Sequence, residues 1–236
     1  MHRLQVNHVS STKGALREDM IEEMKKYPLA NAGLWKDKCA QFKKINIPVF
    51  ISASYSNSLH TMGTFRAWRE ISSGKKWLRI HDTQEWPDYY DEKNTEERCK
   101  FFDYYLKDIK NDWEETPKVR YALLDLEGGN KLNIKAEEFP PKNVIYKKLY
   151  FNAISRLLIN EPPSEEKTIR YSPDGLPVRT SFQITFDKEA SFIGYPKVKL
   201  FMECEGYNDM DVFVWVQKIV KRGNVLSEFL PEPILR

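Results

Sequence analysis

An α/β sheet followed by an all-β region is the fold class this sequence predicts, and three observations carry the prediction. Residues 45–110 alternate strand, helix, strand and helix patterns, the arrangement of a parallel sheet with crossover helices. The period changes after Glu115-Thr116-Pro117, and beyond it short alternating strands are separated by turn residues. The composition suits a packed chain: of 236 residues, 41% are hydrophobic and 13% aromatic, which is too apolar for disorder.

The elements follow in order. Residues 17–27 place Met20, Ile21, Met24 and Tyr27 at helical spacing, and Pro28 stops the pattern. A second amphipathic helix is expected over 33–44. The run INIPVFISASYS (45–56) is apolar, β-branched and short, which fits a buried parallel strand. HTMGTFRAWREI (60–71) sets Met62, Phe65, Trp68 and Ile71 on one helical face, and Ser72-Ser73-Gly74 ends it. WLRIH (77–81) is a second strand, followed by an aromatic loop, DTQEWPDYYDEK. Residues 94–110 carry a capping pattern from Asn94 to Glu97 and a helical apolar face. The expected antiparallel strands are 118–126, 146–152, 180–186, 195–204 and 209–219, the set of a β-sandwich.

Charge and cysteine content exclude several classes. A net charge of +3 from 37 basic and 34 acidic residues does not imply a polyanion-binding surface, and no nucleic-acid module or phosphate-binding glycine loop occurs. Cys39, Cys99 and Cys204 are odd in number and far apart, without metal-ligand spacing, so neither a zinc site nor any other cofactor is expected. The acidic run at Asp209 and Asp211 lacks the spacing of a calcium loop. No apolar run reaches the roughly 18 residues of a membrane span, and Met1–Asn7 has no signal-peptide core, so a cytoplasmic, membrane-free protein is expected.

In open α/β sheets the working groups sit on loops at the carboxyl ends of strands. Two such loops hold the histidines outside the N-terminal tail: Ser54–His60 and His81–Trp86. Histidine is the usual base near neutral pH. His81, ending a buried strand, is either that base or a hydrogen-bonded histidine of a turn. His60 opens a helix and reads as a capping or packing residue. A catalytic histidine needs a carboxylate to orient it; the first loop offers only Asn57, the second Asp82 and Glu85. No G-x-S-x-G occurs, so no serine is presented on a nucleophile elbow.

INIPVFISASYSNSLHTMGTF, KWLRIHDTQEWPDYY, FFDYYLKDIKNDWEETPKVR and DMDVFVWVQKI together resemble the X-Pro dipeptidyl-peptidase and cocaine-esterase (CocE/NonD) hydrolases, over about residues 17–228. The resemblance implies a serine hydrolase that cleaves X-Pro dipeptides, esters or amides, with a helical cap and a C-terminal jelly roll. It divides the chain into a cap remnant (1–44), the C-terminal part of the α/β-hydrolase sheet (45–115) and a jelly roll (116–236), truncated at its end. The nucleophile lies in an upstream segment. Asn57 stands at the family's acid position, and Glu85 lies near its histidine position with His81 as the nearest histidine. The implied function is that of a hydrolase fragment, inactive alone and taking a small peptide or acyl substrate when completed upstream. A non-catalytic binding or assembly module built on the jelly roll is the alternative, and an uncovered sandwich edge would favour homo-oligomers.

Overall fold

The computed structural model describes residues 19–57, 59–125, 129–172, 179–208, 210–219 and 225–226. Asp19 caps α1 (Met20–Lys26), its carboxylate accepting the N–H groups of Ile21 and Glu22 at 3.0 and 3.2 Å. The helix expected over 33–44 is shorter. α2 (Gly33–Lys38) stops at an extended Cys39, and a single 3-10 turn follows at Phe42–Lys44. Neither helix buries a residue, and Met20, Ile21 and Met24 are exposed. A helix this short has little support without a packed face, so the periodic pattern over 39–44 does not extend α2.

β1 (Val49–Ser54), α3 (Thr61–Glu70) and β2 (Lys76–His81) form the first strand–helix–strand unit, with β1 and β2 parallel and in register from Val49–Lys76 to Ser54–His81. The stretch read as an aromatic loop contains α4 (Glu85–Tyr90), whose Pro87 sits in the first turn, where its missing N–H is not needed. α5 (Glu92–Leu106) starts earlier than the Asn94 pattern suggests, because Asp91 is the cap and accepts the Asn94 N–H at 3.1 Å. A 3-10 turn at Trp113–Glu115 then leads to β3 (Val119–Leu123).

β3 corrects the sequence reading. It was expected in an antiparallel sandwich, yet it pairs parallel with β2, and β4 (Lys131–Ala136), which the strand pattern missed, adds antiparallel to β3. The sheet therefore has the order β1-β2-β3-β4 and runs across residue 115. The change of period at Pro117 marks the end of a crossover, since parallel neighbours require a long connection.

The sheet is covered on both sides. Against α3 lie Ile51, Ala53, Leu78, Ile80, Val119 and Tyr121, packed on Phe65, Trp68, Ile71 and Phe139. On the opposite side Phe50 and Trp77 meet Phe101 of α5 and Trp113. Trp113 is fully buried, with ring centroids 5.1 Å from Phe50, 5.4 Å from Trp77 and 5.1 Å from Phe101. The block NDWEETPK is thus a plug that closes the crossover against the sheet, and the Trp77 Nε1–H donates to Thr116 O at 3.1 Å.

Beyond β4 the ladders are short: β5 (Tyr150–Phe151) with β6 (Leu158–Ile159), and β7 (Lys218–Ile219) with β8 (Val225–Leu226). Of the expected strand 180–186 only Gln183 bridges, to Leu157, and 195–204 forms no ladder among the described residues. Phe201, Phe213, Trp215 and Val216 are 66–90% exposed. A β-strand gains stability from a covered apolar face; here Phe182 meets Phe151 and Tyr195 meets Phe65, but Val198, Leu200, Phe201 and Met202 stay exposed.

Candidate active site

The carboxyl ends of β1 and β2 are tied together. Ser54 Oγ donates to Thr83 O at 2.6 Å, Gln84 Nε2 donates to Ser56 O at 3.2 Å, and Tyr55 N donates to His81 O at 3.2 Å. Asn57 lies in the first of these loops and is buried. Its side-chain oxygen accepts the Leu59 and His60 N–H groups at 2.8 and 2.7 Å. The Thr61 hydroxyl bonds to Ser54 O at 2.7 Å and to Asn57 O. The residue at the expected acid position therefore builds the first turn of α3. His60 is exposed at the N-cap position of that helix, but its side chain makes no capping hydrogen bond, and the capping expected of it falls to Asn57.

His81 faces the other side of the sheet. Its Nε2 is 3.6 Å from Asp88 Oδ2 and its Nδ1 is 3.3 Å from Thr83 Oγ1. Burial lowers the imidazole pKa below its ordinary value; Asp88 opposes that shift and Arg79 reinforces it. Asp88 is the hub of the cluster. Arg79 grips it with both terminal nitrogens, one at 2.8 Å to Oδ1 and the other on Oδ2, while Ser52 Oγ donates to Oδ2 at 3.4 Å and Asn94 Nδ2 to Oδ1 at 3.0 Å.

Arg79 and Arg120 are register neighbours on β2 and β3, so two like charges sit side by side beneath α5. Glu97 lies between them, its carboxylate 3.5 Å from Arg79 Nε and 2.5 Å from Arg120 Nη2. Neither nitrogen has a hydrogen-bond partner in geometry, so Glu97 acts on them as a charge. Two guanidinium groups and two carboxylates balance, which is how so many ions are accommodated under a helix.

No hydrogen bond or ion pair joins Asn57 to His81 among the described residues. Glu85, expected near the family's histidine position, opens α4 half-buried and makes no ion pair with a described residue. Asp82, considered as an orienter of His81, contributes only a weak electrostatic pull on the ring, and its Oδ2 accepts Asn130 Nδ2 at 2.7 Å. The carboxylate beside His81 is Asp88, which the sequence reading did not single out; recognising α4, which folds residue 88 back under residue 81, is the signal that finds it. Among the described residues no group of three or more His, Cys, Asp or Glu side chains could hold a metal. No helix among them is long and apolar enough to cross a membrane.

Comparison with solved structures finds a CocE/NonD family hydrolase from Staphylococcus aureus, 35% identical, with a TM-score of 0.57 over 61% of this chain. The family model for the X-Pro dipeptidyl-peptidase C-terminal non-catalytic domain matches residues 111–236, more than half of the chain. The chain belongs to the X-Pro dipeptidyl-peptidase and CocE/NonD hydrolase family. A second crystal structure of the same staphylococcal CocE/NonD hydrolase matches equally, at 35% identity and a TM-score of 0.57. The match spans 26% of those staphylococcal chains, so this chain corresponds to about a quarter of their length. Comparison with curated proteins gives no match. These likenesses do not favour a free-standing binding module. They also sharpen the fold: the region matched to the family's C-terminal domain includes β3 and β4, and so contributes two strands to the sheet that carries the candidate site.

Proposed function

We propose that this chain is the C-terminal part of a CocE/NonD-type serine hydrolase acting on X-Pro peptides, esters or amides, and that it is silent until an upstream segment supplies the nucleophile. The absence of any G-x-S-x-G in the 236 residues carries the second half of this reading. The sheet edge supports it. β1, VFISAS, has no charge to guard its unpaired side, whereas the opposite edge β4, KLNIKA, carries Lys131 and Lys135. Natural edge strands are guarded by such charges, and parallel strands are normally interior. β1 thus reads as an inner strand of a wider sheet, and residues beyond β4 as the family's jelly roll.

In the completed site Asn57 would stand at the acid position and Glu85 near the histidine position, with His81 the nearest imidazole. The purified chain is expected not to turn over a chromogenic X-Pro amide or a short acyl ester, and not to be labelled by a serine-directed phosphonate. Turnover that the phosphonate abolishes would overturn the proposal.

A further inference from the structure

Far along the region matched to a non-catalytic domain, the Tyr195 ring packs beside Phe139 against the layer that carries the Asn57 loop. Gly194 makes this contact available. It has φ +117°, and a Cβ there would lie 2.8 Å from Tyr146 Oη and 3.3 Å from Pro140 Cγ. Only glycine fits such a turn, and the next amide, Tyr195 N–H, donates to Tyr146 Oη at 3.1 Å. The turn delivers the Tyr195 ring edge-on to Phe65 of α3 and to Phe139, with centroids 5.8 and 5.7 Å away. Arg69, one turn further along α3, lies over the ring at 4.6 Å. Phe65 in turn stacks on Tyr55 at 6.1 Å, and Tyr55 is part of the loop that holds Ser54, Ser56 and Asn57.

α3 buries only Phe65 and Trp68, so its seat on the sheet depends on few contacts. Its first turn is also the turn that Asn57 completes. We propose that Tyr195 is a positioning residue: through Phe65 and Tyr55 it lets the C-terminal region set the order of the loop at the carboxyl end of β1. The contact is carried by the ring, whose edge meets both Phe65 and Phe139. The order of this loop is independent of whether the chain hydrolyses a substrate.

Hydrogen exchange followed by mass spectrometry on the full chain tests it. Tyr195→Ala is expected to speed exchange in peptides covering 55–62 by roughly tenfold, the scale of an aromatic pair and its buried area. Peptides of α5, on the other side of the sheet, should keep their wild-type rates, and Tyr195→Phe should restore protection at 55–62. If Tyr195→Ala does not fold, Tyr195→Leu fills the space without the aromatic edge and gives the same reading. Unchanged exchange at 55–62, equal acceleration of α5, or failure of Tyr195→Phe to restore protection would each overturn the proposal.

Discussion

The two faces of the sheet bury their strands by different means. The face under α3 is apolar throughout: Ile51 and Ala53, Leu78 and Ile80, Val119 and Tyr121. The face under α4 and α5 is sorted by rows along the strand direction. Phe50 and Trp77 form an aromatic row, Ser52, Arg79 and Arg120 a charged row, and Ser54 and His81 a polar row at the carboxyl end. β2 is buried from Trp77 to His81, yet alternates apolar and polar residues as a half-exposed strand would. A doubly covered strand tolerates this only because each charge has a partner. One face therefore holds the fold by volume, and the other holds the site-bearing ends of the strands by specific pairs.

Removing the hub should break that contrast most severely. Asp88→Ala leaves the Arg79 guanidinium buried without its two-pronged partner, and an unpaired buried charge costs about 3–5 kcal/mol. Urea unfolding should report a loss of that size. The double change Arg79→Met with Asp88→Leu turns the row apolar and should recover most of it. If Asp88→Ala costs under about 1 kcal/mol, the cluster behaves as a surface pair and the distinction between the faces fails.

The same contrast explains what was legible in the sequence. The α3 face is readable because periodicity reports apolar burial: Phe65, Trp68 and Ile71 lie where it puts them, as do β1, β2 and the core of α5, whereas Met62, expected on the same face, is exposed in the first turn beyond the sheet's cover. The other face was hidden, because Arg79, Asp88 and Glu97 look like solvated residues until the helices that bury them are known. α4 is not legible in the sequence, since EWPDYY has no apolar stripe and contains proline. β3 read as a strand but not as a parallel one, because its partner is set by a crossover that spans α4, α5 and the Trp113 plug. The residues beyond β4 carry strand-like alternation, yet alternation predicts a ladder only where a neighbouring layer covers its apolar side.

A smaller effect separates the faces by pH. Burial holds the His81 ring below its ordinary pKa of 6.5 against the pull of Asp88, so the fold favours the neutral imidazole. The stability this contributes is fully present above about pH 6.5 and is lost as pH falls through that value towards the folded-state pKa. Between about pH 7.5 and 5.5 the wild-type chain should lose stability with acidification. His81→Gln should lower stability at the upper end and flatten the slope. A slope unchanged by His81→Gln would show that the ring is not held neutral.

The smallest expected effect is at Asn57, and it asks whether the two faces act independently. Asn57→Asp places a carboxylate where the resemblance led one to expect an acid, but in this structure the side-chain oxygen is already committed to the Leu59 and His60 N–H groups. A carboxylate accepts those bonds as well as an amide does and sits favourably at the start of α3, so stability should change by no more than about 0.5 kcal/mol. His81 faces Asp88 and Thr83 across the sheet. Its titration, followed by the imidazole proton resonances, should therefore stay where it is in Asn57→Asp and move down in Asp88→Asn, which removes the charge that raises it. A rise of the His81 pKa in Asn57→Asp would mean that the introduced charge reaches the ring, and that the faces share one electrostatic site at the carboxyl ends of β1 and β2.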